Sequence, residues 1–272
     1  MKILITNEHL KKYLHSQEIK LGFIPTMGGL HDGHISLIKK AKDMNIKTIV
    51  SIFVNPKQFN NKNDFKKYPR NIVKDIKILR KINPDYLYLP NYNTIYSFKR
   101  KESIKINKFS QMLCGRFRDK HFNGVIDVID RFIRILNPKY IFLGEKDYQQ
   151  LILIKEYIKN KYKTIVVGSK IIREKNGLAL STRNFLLNKN DKIKASNVYR
   201  IIKFYKNKIK DFSKSTIYKK KILSELKKVN ITKIDYLEFI DLKSYKKINS
   251  KTKKYRIFIA FYLKKIRLID NI

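Results

Sequence analysis

The sequence predicts an α/β fold, a Rossmann-like and mainly parallel sheet with helices on both faces, followed by a smaller C-terminal α+β domain. Short apolar runs alternate with segments of helical period through the first part of the chain, which is the pattern of repeated βαβ units. The apolar runs are continuous rather than alternating with polar residues, as in strands covered on both faces. After Asn184 the pattern changes to lysine-rich helical segments up to about Val229 and then to two strand-like stretches. We place the domains at 1–177 and 178–272.

Taken in order, KLGFIP reads as a strand running into Thr26-Met27-Gly28-Gly29, and Ile35, Ile38 and Ala41 mark a helix opening at Gly33. TIVSIFV reads as the next buried strand. Ile72, Val73, Ile76 and Leu79 mark a helix before the strand DYLYL, and Val125, Ile129, Phe132, Ile133 and Leu136 mark one before YIFLG. LILIKEYI and KTIVVG form the last helix and strand of the first part, and IDYLEFI and YRIFIAFYL are the strands of the second. In such a sheet, ligands bind beyond the carboxyl ends of the strands, so chemistry is expected at strand-to-helix turns.

The bulk composition narrows the class. With 272 residues and 43% hydrophobic content, a substantial core is available. No apolar run is long enough to span a bilayer, the opening residues lack a signal-peptide pattern, and no membrane partner is expected. A single cysteine, Cys114, excludes an internal disulfide framework and a cysteine-based zinc site, which fits a reducing, cytoplasmic setting. The formal charge of +40 has two readings. One is a surface for nucleic acid; the other is lysine spread over solvated faces by an AT-biased coding sequence rich in Ile, Asn and Tyr. The excess extends over both parts of the chain, which favours the second, and nucleic acid is not expected as a partner.

The segment PTMGGLHDGH carries the most chemistry. His31 and His34, three residues apart, project from one face of the first helical turn, and Gly28, Gly29 and Gly33 let backbone approach a ligand closely. The helix N-terminus adds a field suited to phosphate. Two imidazoles there can stabilise charge developing on a phosphoryl group; otherwise they are surface loop residues. No further His or Cys cluster completes a zinc site. GEKDYQQL, Gly144 to Leu151, follows YIFLG and reads either as a phosphate-and-ribose loop or as an ordinary helix start. Gln58, just past a buried strand, suits a carboxylate or hydroxyl if it is not an exposed loop residue.

His31-Asp32-Gly33-His34 resembles the His-x-Gly-His signature of adenylate-forming nucleotidyltransferases, and PTMGGLHDGH, VSIFVNPKQF, Tyr68-Pro69-Arg70, GEKDYQQL, LALSTRN and Arg267-Leu268-Ile269-Asp270-Asn271 together resemble the pantothenate synthetase family over nearly the whole chain. That resemblance implies ATP contacts at Met27, Gly28, Gly29, Leu30, His31, Asp32, Gly33 and His34 and at Gly144, Glu145, Lys146 and Asp147. It also implies them at Ile172, Leu180, Ser181, Thr182 and Arg183. Pantoate contacts fall on Gln58 and Gln150, a β-alanine contact falls on Gln58, and catalytic roles fall on His34, His31, Lys146 and Arg183. The implied reaction makes pantothenate, AMP and pyrophosphate from pantoate, β-alanine and ATP through a pantoyl adenylate, with Mg2+ on the triphosphate and no protein ligand assigned to it. A homodimer is implied as well.

The sequence departs from the family at Arg118-Asp119-Lys120-His121-Phe122, where a Pro-Gly pair is usual, and this leaves the roles of Arg118 and His121 open. Thr182 replaces a serine but keeps the hydroxyl. Two rival readings remain, an RNA-associated protein on a nucleotidyltransferase fold and a nucleotidyltransferase with another acceptor.

Overall fold

The computed structural model describes residues 1–14, 20–100, 103–209 and 211–272. The chain begins with β1 (Lys2–Leu4), α1 (Asn7–Leu14), β2 (Leu21–Thr26), α2 (Asp32–Asp43) and β3 (Lys47–Ile52). It continues with α3 (Lys62–Lys67), α4 (Ile72–Ile82), β4 (Tyr86–Tyr88), α5 (Tyr92–Ile95), α6 (Cys114–Phe117) and α7 (His121–Leu136). β5 (Tyr140–Gly144), α8 (Tyr148–Lys159) and β6 (Ile165–Ser169) follow. The last elements are α9 (Lys189–Lys208), α10 (Ser215–Lys228), β7 (Ile234–Asp241), β8 (Tyr255–Leu263) and β9 (Ile266–Asn271). The chain divides into two compact units, one of residues Met1–Ser110 with Arg118–Lys170, the other of Gln111–Phe117 with Ile171–Ile272.

In the first unit, the described residues form a six-stranded sheet in the order β1-β4-β3-β2-β5-β6, with every pairing parallel. The α/β expectation therefore holds, and its cause is visible in β2. Phe23 and Ile24 are adjacent in sequence and both fully buried, so a two-residue period puts one on each face. Ile24 joins Leu37, Ile38 and Ala41 of α2, Val50 of β3 and Leu79 of α4 in one core cluster. On the other face Phe23 meets Phe132 of α7, ring centroids 5.0 Å apart, and Tyr88 and Phe53 close edge-on around the same ring.

Two details correct the sequence reading. α4 exists, but Val73 and Ile72 face solvent, and the buried side of the helix carries Leu79 and the carboxylate of Asp75. β1, α1 and β9 were not marked by any periodic pattern, although Leu4 and Leu10 are each only 1% exposed. Helix ends follow local chemistry. Asn71 caps α4 by accepting from Lys74 N–H, and Asn83 and Asn137 end α4 and α7 in the left-handed conformation.

The second unit is an antiparallel sheet, β7-β8-β9, packed with α9 and α10 around Val198, Ile202, Ile222, Leu226, Ile257 and Ile259. Arg173 grips Asp270 through two hydrogen bonds of 2.7 and 2.8 Å and lies over the Tyr199 ring. The cysteine Sγ of Cys114 is buried 3.1 Å from the Tyr236 hydroxyl.

Candidate active site

Strand order locates the site. From β2 the chain crosses through α2 to β3 on one side, whereas β5 lies on the other side of β2, so the connections diverge between β2 and β5. At such a switch point the loops after the two strands leave a crevice open. The loop after β2 is Met27 to His31, and the loop after β5 is the 3-10 turn Glu145–Asp147, so the structure brings the first two predicted nucleotide segments to this one edge. Gly144 at the end of β5 has an ordinary φ of −79°, and a Cβ there would meet nothing within 4 Å. Neither backbone nor packing demands a glycine at this position.

The histidines are joined through the start of α2. His31 is the N-cap, its Nδ1 accepting from Gly33 N–H at 3.1 Å, and His34 returns the contact, its Nδ1 accepting from His31 N–H at 3.4 Å. This is a capping box written with two imidazoles. A nitrogen that accepts carries no proton, so each neutral ring holds its hydrogen on Nε2. The rings lie 4.1 Å apart. Burial first, then the Lys146 ammonium, push His31 down to about 4. Burial, then His31 and Lys146, hold His34 well below the ordinary imidazole range. Both are therefore neutral Nε2–H donors near pH 7, and the positive charge of Lys146 acts on both rings. Lys146 is mostly covered and lies 3.7 Å from Asp147, which is half exposed.

The unfolded chain binds a proton on His31 at about pH 6.5 and the folded chain only at about 4, so the unfolded state holds more protons between those values. Stability is complete above pH 6.5 and falls as pH drops through that window, by up to about 3 kcal/mol for His31. Urea unfolding at several pH values reads the slope. His31→Asn keeps a cap acceptor without a titrating ring and is expected to reduce the slope, leaving the part of the same sign that buried His34 contributes; an unchanged slope would place the effect elsewhere.

The backbone amides of the loop after β2 turn inward. Gly28 N–H donates to Thr26 Oγ1 at 3.2 Å, and Gly29 and Leu30 N–H both donate to the buried Asp75 carboxylate at 2.8 Å. Gly28 and Gly29 take φ of 79° and 62°, which makes this turn possible. Asp75 was not among the sequence-derived candidates; an acid in the first turn of α4 reads as a favourable charge near a helix N-terminus.

Gln58 ends the 3-10 turn Pro56–Gln58 beyond β3, is 9% exposed, and touches Met27 Sδ through its side-chain amide. The turn is capped by Asn55, whose Oδ1 accepts from Lys57 N–H. Gln150 is half-buried in the first turn of α8. Arg118 and His121, whose roles the altered turn left open, serve this same turn. His121 Nδ1–H donates to Gln58 carbonyl oxygen at 2.7 Å, and Arg118 donates to His121 Nε2 at 3.0 Å and to the same carbonyl at 3.2 Å. Lys120 adopts a left-handed φ of 52°, the conformation a glycine favours.

The remaining predicted contacts are in the second unit and group together there. Leu180 N–H donates to the Ile172 carbonyl at 3.0 Å, and Ser181 Oγ caps the 3-10 turn Thr182–Leu186 by accepting from Arg183 N–H. Thr182 is buried.

Comparison with known proteins decides the family. The model of the pantoate–β-alanine ligase family matches residues 2–272. The chain belongs to that family. It is 42% identical to the pantothenate synthetase of Ruthia magnifica over 279 residues, covering 100% of this chain and 98% of that protein. It is 40% identical to the pantothenate synthetase of Clostridium botulinum, covering 96% and 94%. Among solved structures, the pantothenate synthetase of Thermus thermophilus superposes with a TM-score of 0.91 at 29% identity, covering 100% and 99%. The pantoate–β-alanine ligase of Francisella tularensis, solved with beta-gamma ATP and β-alanine, gives 0.82 at 36% identity, covering 100% and 97%. As members of a pantoate–β-alanine ligase family share this parallel sheet, the fold that positions the loops after β2 and β5 is a family property.

Proposed function

We infer that the chain condenses pantoate with β-alanine at the expense of ATP, releasing AMP and pyrophosphate. The observation that carries the reading is the pair of neutral Nε2–H imidazoles beside Lys146 at the β2/β5 crevice, within a chain of this family. A pantoate carboxylate oxygen attacks the α-phosphorus, the bond to the β-phosphate oxygen breaks, and pyrophosphate leaves. The β-alanine amine then attacks the acyl carbon and AMP departs. His34 and His31 stabilise charge on the phosphoryl oxygens as it develops, without taking a proton, and Lys146 adds its ammonium. Gln58 and Gln150 orient pantoate, and Gln58 borders the β-alanine site.

Met27 to His34 and Gly144 to Asp147 are assigned to ATP. Ile172, Leu180, Ser181, Thr182 and Arg183 are assigned to it on the family resemblance, hydroxyls and a guanidinium being suited to a triphosphate. Among the described residues there is no group of three or more His, Cys, Asp or Glu side chains poised for a metal. Mg2+ belongs to the proposal on the family resemblance, with no protein ligand assigned, and would neutralise triphosphate charge. Homodimeric assembly and a cytoplasmic location belong to the same proposal; no described helix is long and apolar enough to cross a membrane.

The deciding assay is AMP formation from ATP with both co-substrates, with each omitted in turn. Product that appears only when pantoate and β-alanine are both present supports the reading, and AMP formation indifferent to pantoate removes it.

A further inference from the structure

Gly124 sits in the first turn of α7, where a glycine costs helix stability and serves no cap. Its surroundings give the reason. A Cβ at this position would collide with the backbone carbonyl of Lys57 and lie 2.9 Å from the Gln58 nitrogen, so α7 rests with bare backbone on the turn that carries Gln58. Neither partner is a side chain that can swing away. The contact is tied at both ends. Asn55 Nδ2 donates to the Gly124 carbonyl at 3.0 Å and lies 3.5 Å from Gln58 Oε1, and its Oδ1 accepts from the Tyr96 hydroxyl at 3.0 Å. Asn55 is 1% exposed.

We propose that Gly124 is a positioning residue for the acceptor acid: the absence of a side chain lets α7 lie directly on the Asn55–Gln58 turn, and this contact sets where the Gln58 amide meets pantoate. The inference rests on the reading of Gln58 as a pantoate contact. A methyl group on Gly124 must separate helix and turn by a substantial part of an ångström, and misplacements of that size cost binding and rate by roughly ten- to a hundredfold. A Cβ on Gly124 would meet the Lys57 and Gln58 backbone first, and the loop after β2 is reached from this turn through the Gln58 side chain, whose amide meets Met27 Sδ, so the larger effect is expected on pantoate and the smaller on ATP.

The test is steady-state kinetics of Gly124→Ala beside the wild-type chain. The wild type must first show pantoate-dependent AMP formation; if it does not, the functional reading fails independently of Gly124. With an active wild type, Gly124→Ala is expected to raise the pantoate KM about tenfold or more, while the ATP KM stays within about twofold. Ile133→Ala, a buried truncation farther along the same helix, is the control for general loosening and is expected to lower Tm without moving the pantoate KM. An unchanged pantoate KM in Gly124→Ala, or an equal rise in Ile133→Ala, overturns the proposal. Should Gly124→Ala fail to fold, Asn55→Ala cuts the tie without a steric conflict; it must show the same pantoate-specific rise, and equal loss for ATP and pantoate counts against the proposal.

Discussion

Replacing His34 by alanine is expected to slow adenylate formation by about a hundred- to a thousandfold, the usual loss when one preorganised donor to a developing oxyanion is removed, while ATP affinity changes only a few-fold. The separation arises because a neutral Nε2–H contributes little to a ground-state phosphate already surrounded by Lys146 and solvent, and more as charge concentrates in the transition state. One complication is built into the fold. His34 is also the return arm of the capping box, so alanine removes the acceptor of the His31 N–H along with the imidazole while the His31 cap stays. His34→Gln resolves the two effects, because glutamine at the third helical position can accept from the His31 N–H and so keep that contact. Pyrophosphate release in single turnovers, with Tm measured in parallel, provides the comparison. Glutamine should restore Tm and leave the rate low; variants that release pyrophosphate within threefold of wild type would remove His34 from the chemistry.

The second large effect is expected at a residue far from any reacting atom. Asp75→Ala leaves the Gly29 and Leu30 amides buried without their acceptor, at a cost of about 1 to 3 kcal/mol each, or about 2 to 6 kcal/mol together. For a protein of ordinary stability that is a large fraction of the whole. Catalysis should suffer as well, since the same two amides hold the backbone leading into His31. Asp75→Asn tests whether any acceptor suffices: the amide keeps one oxygen but directs an NH2 group at a second donor, so a loss between wild type and alanine is expected. Equilibrium unfolding in urea gives these differences, and an alanine variant within about 0.5 kcal/mol of wild type would contradict the role assigned to this carboxylate.

The fold was legible where its signal is periodic and its burial two-sided. Phe23 and Ile24 in KLGFIP, and the apolar spacing in α7, could belong only to a covered strand and a packed helix. β1 shows no period because its three residues, Lys2–Leu4, are too few, and it owes its place to pairing with β4; β9 shows none because the residues it buries include Asp270 and Asn271 beside Leu268. The proximity of the two histidine rings was legible because three-residue spacing puts both on one face. That they cap the helix through each other was not, since capping boxes are ordinarily recognised by hydroxyl and carboxamide residues. Asp75 and Gly124 were invisible for a shared reason: their partners are distant in sequence, 45 and 46 residues for Asp75 and about as many as 69 for the Gly124 carbonyl and Asn55. Alone, each resembles an ordinary first-turn acid or a poor helix residue.

The inward hydrogen bonds of Gly28, Gly29 and Leu30 complete this stretch of main chain before any substrate arrives. Amide deuterium uptake at these three positions should already be slow in the free protein and change little with nucleotide, because their amides are engaged inside the protein. Binding at this edge then costs less in ordering the backbone, and affinity can be adjusted through the side chains without altering the frame that holds them.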